Sequence, residues 1–202
     1  MKSSESTALS PFVSRLSEMV ALHLRAVHLP HIRRYHARAK SGSLGRPRKR
    51  WTLPLHLVDL SRLDSLVDAT KHSGWLHFLD WGNGLHGIAE IQKGNRRPVL
   101  DSLSLGPSSD TEHLIVERFL KSGVRYKALA CLAVPSLHFR ALSYVNKDTN
   151  RHMIVPLSSP TVPLQRGRRY YSETVQTRLK AAVDFVLRSE REYRERQIKQ
   201  SR

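Results

Sequence analysis

Residues 75–105 read WLHFLDWGNGLHGIAEIQKGNRRPVLDSLSL, and the fold class turns on this stretch. Residues 75–80 are apolar and aromatic, the composition of a strand. Gly82-Asn83-Gly84 supplies the positive φ angles of a tight turn. Residues 85–93 form the return strand, with Leu85, Gly87, Ala89 and Ile91 on one face and His86 and Glu90 on the other. Gly94-Asn95 turns the chain again. Residues 98–105 give a third strand, with Val99, Asp101, Leu103 and Leu105 on one side, and Gly106-Pro107 breaks it. The glycine-rich turn is not a dinucleotide fingerprint, because a strand rather than a helix follows it.

Downstream, Asp110 or Thr111 caps a helix through Leu120, with Leu114, Ile115, Arg118 and Phe119 at helical spacing and Gly123 as its stop. Residues 124–134, 137–146 and 151–157 read as three further strands joined by short turns. Residues 158–169 are a Ser/Pro/Gly/Arg-rich connection. Tyr171 or Ser172 opens a last helix with a Val175, Leu179, Val183, Val186 stripe that fades after Leu187. Upstream, Ser10-Pro11 starts an amphipathic helix that ends near Pro30. Asp59 or Ser61 caps a short helix carrying Leu63, Leu66 and Val67 and ending near Gly74.

Local hairpins dominate this order and helical crossovers are few. The expected fold is α+β: a single, largely antiparallel sheet of about five to six strands, helices packed on one face, and basic extensions. The expected organisation is an N-terminal amphipathic helix over 1–35, a basic linker or arm over 36–50, an α+β core over 51–187, and a charged helical tail over 188–202.

The chain has 202 residues, with 34 Lys+Arg against 17 Asp+Glu and a formal net charge of +17. The excess sits at the ends: residues 1–50 carry eleven basic and two acidic side chains, and residues 151–202 carry twelve and five. Residues 51–120 are mildly acidic. Such asymmetry points to an acidic partner, either an acidic polymer such as nucleic acid or an acidic protein. Cys131 is the only cysteine, which rules out an intrachain disulfide and any multi-cysteine metal centre. Cys131 is expected to be buried and unreactive among its small apolar neighbours. The longest apolar runs are too short for a membrane-spanning helix, and no secretory leader is legible near Met1, so a cytoplasmic location is expected.

Three basic clusters come with aromatic neighbours. Arg33, Arg34, Arg38 and Lys40 surround Tyr35; Arg46, Arg48, Lys49 and Arg50 precede Trp51; Arg166, Arg168 and Arg169 precede Tyr170 and Tyr171. Cations that neutralise phosphates beside rings that stack on bases suit single-stranded nucleic acid, RNA above all. These residues, with Tyr170, form the expected nucleic-acid-binding set of a non-catalytic module. No cofactor is expected, since no P-loop occurs, and no metal, since no H-E-x-x-H or comparable spacing appears among the eleven histidines. The alternatives are a metal-independent enzyme using His86 and Glu90 as an acid–base pair, and a protein-interaction module.

Overall fold

The structure is a computed structural model and describes residues 48–82, 86–93 and 98–200. Their order is β1 (Arg48–Val58), β2 (Thr70–Asp80), β3 (His86–Gln92), β4 (Val99–Leu105), α1 (Pro107–Lys121), β5 (Tyr126–Val134), β6 (Phe139–Asn146), β7 (His152–Ser158), β8 (Tyr170–Tyr171) and α2 (Ser172–Gln200). The fold is α+β. The strands form one sheet in the order β4-β3-β2-β1-β5-β6-β7-β8. Pairing is antiparallel between β3 and β4, β5 and β6, β6 and β7, and β7 and β8, while β1 runs parallel to β5. The sheet is therefore mixed and mostly antiparallel, and its eight strands exceed the expected five to six.

The two additional strands have specific causes. β1 opens on Arg48-Lys49-Arg50, a stretch with the composition of an arm, and contains Pro54, which lacks the amide a central strand normally donates. Its alternation of buried Leu53 and Leu55 is nonetheless that of a sheet. β8 is only two residues long and exists through its register with β7, Ile154 opposite Tyr170 and Met153 opposite Tyr171. The short helix expected before Gly74 is a single 3-10 turn at Leu60–Arg62, and β2 already begins at Thr70. Asp59 accepts from the Ser61 amide and hydroxyl at 3.0 and 2.7 Å, a side-chain turn that competes with helix propagation. The helix expected over residues 11–28 and the turns at Asn83-Gly84 and Gly94-Asn95 lie outside the described residues.

The described chain divides into two compact units, one of residues up to Thr52 with Trp75–His113, the other of Leu53–Gly74 with Leu114 onward. In the first unit, Leu79 and Ala89 are buried against Trp81, Leu100 and Leu103. Ile88 is buried as well, although neighbours in a strand point to opposite sides. β3 thus buries apolar residues on both faces, with His86 and Glu90 partly buried beside Ile88. The His113 ring of α1 is stacked on His86 with ring centroids 4.4 Å apart.

In the second unit, α2 buries Val175, Leu179 and Ala182 in a core with Leu132, Val134, Phe139 and Ile154. Val183 and Val186 pack at its margin, as the helical stripe requires. Gln176 Nε2 ties α2 to the turn below it, donating to the Leu63 and Asp64 carbonyls at 2.7 and 2.8 Å. The helix continues to Gln200 and is exposed over residues 188–198. Cys131 is fully buried at the centre of β5. No helix among the described residues is long and apolar enough to cross a membrane.

Candidate nucleic-acid interface

The connection from β7 to β8 is built by its sequence into a rigid turn. Val162 and Leu164 plunge into the core of the second unit and fix its first half. The Gly167 amide then donates to the Pro156 carbonyl at 2.8 Å, with Gly167 at φ +75°, a left-handed conformation that favours glycine. The Gln165 amide donates to the Tyr170 hydroxyl at 3.0 Å and closes the loop from the far side. Between these anchors the exposed Arg166, Arg168 and Arg169 have nowhere to go but outward.

They line one cavity of about 580 Å³. Arg118 and Ser122, from the end of α1, complete its cationic and polar wall, and Ile115, Phe119 and Val155 form its apolar lining. Four guanidinium groups thus share one concavity, and no carboxylate lines it among the described residues. Arg169 donates from Nη2 to Ser122 Oγ at 3.2 Å. The Arg168 guanidinium lies 5.6 Å from the Tyr170 ring centroid, which stiffens it by a cation–π contact. Among the described residues, neither Arg118 nor Arg166 has an ion-pair partner. Behind the lining, Phe119 packs against the fully buried Tyr144 with centroids 4.9 Å apart. Tyr144 Oη finds no hydrogen-bond partner among the described residues, and burial raises its pKa against the opposing charge of Arg169.

Of the residues picked from sequence, Arg166, Arg168 and Arg169 thus come together. Tyr170 is half-buried, packs on the core and receives Arg168 on its ring. Its neighbour Tyr171 is the more exposed ring, with Arg151 5.1 Å from its centroid. Arg48, Lys49 and Arg50 are exposed on β1 in the first unit, and Arg50 is held by Asp80 at 2.8 Å. Arg33, Arg34, Arg38, Lys40 and Arg46 lie outside the described residues. Arg118 was missed as a site residue because it falls within the apolar spacing of α1. A cation inside such a stripe, near the helix C-terminus, was the available signal.

His86 is half-buried and pairs with Asp110, its Nδ1 3.1 Å from Asp110 Oδ1. Asp110 sits in the first turn of α1, which starts at Pro107, three residues earlier than the sequence signals suggest. The stacked His113 is held neutral, its pKa lowered to about 4 by burial and then by His86. No group of three or more His, Cys, Asp or Glu side chains is arranged to hold a metal ion among the described residues. Comparison with protein-family models, curated proteins and solved structures finds no match for the chain.

Proposed function

We propose that this protein is a non-catalytic binding module for nucleic acid, RNA foremost, and that the Arg118/Arg166/Arg168/Arg169 cavity is where it holds phosphate. One observation carries the reading: four arginines line a single cavity with no carboxylate among the described residues to balance them. Like charges gathered this way repel one another, and the fold supports that cost through a loop anchored in the core. A bound anion relieves the repulsion and accepts charge-assisted, bidentate hydrogen bonds from the guanidinium forks. The net charge of +17 draws a polyanion to the surface before any specific contact forms. Tyr171, exposed beside Arg151, offers a ring on which a base can stack.

Phosphate contacts release condensed counterions, so affinity for mixed-sequence single-stranded RNA falls with salt at about −0.7 log units per contact. Replacing Arg166, Arg168 and Arg169 by Ala flattens the log–log slope, by about 0.7 for each strand phosphate the cavity no longer holds, and weakens all sequences alike. Fluorescence anisotropy across a salt series measures this. A slope unchanged by the triple substitution overturns the reading.

The His86–Asp110 pair favours a second reading, an acid–base enzyme. In it Asp110 would orient the imidazole and leave Nε2 as the base, where the sequence suggested an acid–base pair of His86 and Glu90.

A further inference from the structure

The arginine cavity is concentrated rather than extended, and this bears on which phosphate it takes. A backbone phosphodiester carries one negative charge, and successive diesters are spread along the strand. A stripe of separated cations matches that pattern. Here four guanidinium groups line one concavity of about 580 Å³, formed by the end of α1 and the β7–β8 loop. Their supply of donors far exceeds what one diester can accept. A phosphate monoester carries close to two charges at neutral pH and three strong acceptor oxygens. The Gly167 turn and the Arg168–Tyr170 contact hold the loop in place without a ligand, so little ordering cost remains when one binds. Ile115, Phe119 and Val155 offer the sugar an apolar surface beside the arginines.

We infer that the cavity formed by Arg118, Arg166, Arg168 and Arg169 recognises the terminal phosphate monoester of a nucleic-acid strand. This rests on the nucleic-acid reading above and goes further by naming the chemical group selected. Arg168 and Arg169, restrained by Tyr170 and Ser122, fix the position of the phosphate. Arg118 and Arg166, with no ion-pair partner among the described residues, close on its remaining oxygens.

The test compares RNA oligomers of one sequence with a 5′-phosphate, a 3′-phosphate or hydroxyls at both ends, using the full-length chain and the Arg166→Ala variant. Arg166 is exposed, so its removal leaves the core intact. One phosphorylated end is expected to bind about tenfold more tightly than the hydroxyl oligomer, the size of a few charge-assisted hydrogen bonds. Arg166→Ala is expected to erase that preference, weakening the phosphorylated oligomer far more than the hydroxyl one. Gly167→Ala, which strains the turn, is expected to reduce the preference in the same direction. If all oligomers bind equally with a steep salt dependence, the terminal-phosphate assignment fails and backbone binding stands. If none binds at low salt, both readings fail. Adenosine monophosphate competing as well as the phosphorylated oligomer overturns the strand-end assignment in favour of a free nucleotide.

Discussion

Arg50 grips Asp80 with two nitrogens on one oxygen, Nε at 2.9 Å and Nη2 at 2.8 Å from Oδ2. The contact joins β1 to β2 thirty residues apart in sequence. It changes the meaning of a basic cluster: Arg48 and Lys49 remain exposed, but the charge of Arg50 is already answered. Burial pushes the Asp80 carboxyl up, yet the Gly82 amide at 2.7 Å and Arg50 outweigh it and hold its pKa below the usual value.

A double-mutant cycle with Arg50→Ala and Asp80→Ala should therefore show coupling of about 1 kcal/mol in urea unfolding. The coupling should shrink in 1 M salt, because Arg50 is more than half exposed. Arg50→Ala should also leave the salt slope of RNA binding nearly unchanged, in contrast to the cavity arginines. Additive single mutants would remove the pair from the stability of β1.

Stability should fall with acidity well before the carboxylates titrate. Burial first, then Lys49, lowers the His77 pKa to about 4; burial first, then His86, does the same for His113. In the unfolded chain both titrate near 6.5. Above that value both are neutral in either state and the fold keeps its full stability. As pH drops from 6.5 towards 4, the unfolded chain takes up protons that the fold refuses. Each histidine then subtracts up to about 1.4 kcal/mol per pH unit. His56 and His152, lowered mainly by burial, add to the trend. Urea midpoints measured from pH 7 to 4.5 test this. His113→Phe, which keeps a ring among Trp51, Phe78 and His86, should visibly flatten the profile. A wild-type profile flat over this range would refute the neutral, buried histidines.

Gly87 on β3 is closely approached by the side chains of Leu105 and Trp81. A Cβ there would lie 2.7 Å from Leu105 Cδ2 and 2.7 Å from Trp81 Cζ3. Gly87→Ala should destabilise the protein by about 1–3 kcal/mol through overpacking. A thermal melt reads this directly, and an unchanged Tm would mean that Trp81 and Leu105 yield freely.

Much of this protein was legible in local sequence. The spans of β3 to β7, the stop of α1 near Gly123, the start of α2 at Ser172 and the clustering of charge at Arg166, Arg168 and Arg169 follow from periodicity, turn chemistry and composition. These signals are local, carried by residues a few positions apart. What tertiary structure decided lies between residues far apart. β1 became a strand because Leu55 aligns with Cys131 on β5, a parallel pairing that overrides the composition of Arg48–Arg50 and the proline at 54. Two tyrosines became β8 because β7 offered an edge. His86 acquired Asp110 as a partner, since the start of α1 was brought over β3. Arg118 joined the arginines of a loop about fifty positions away in one cavity. Backbone pairing and side-chain convergence are set by the burial of whole elements, and no window of neighbouring residues contains that information.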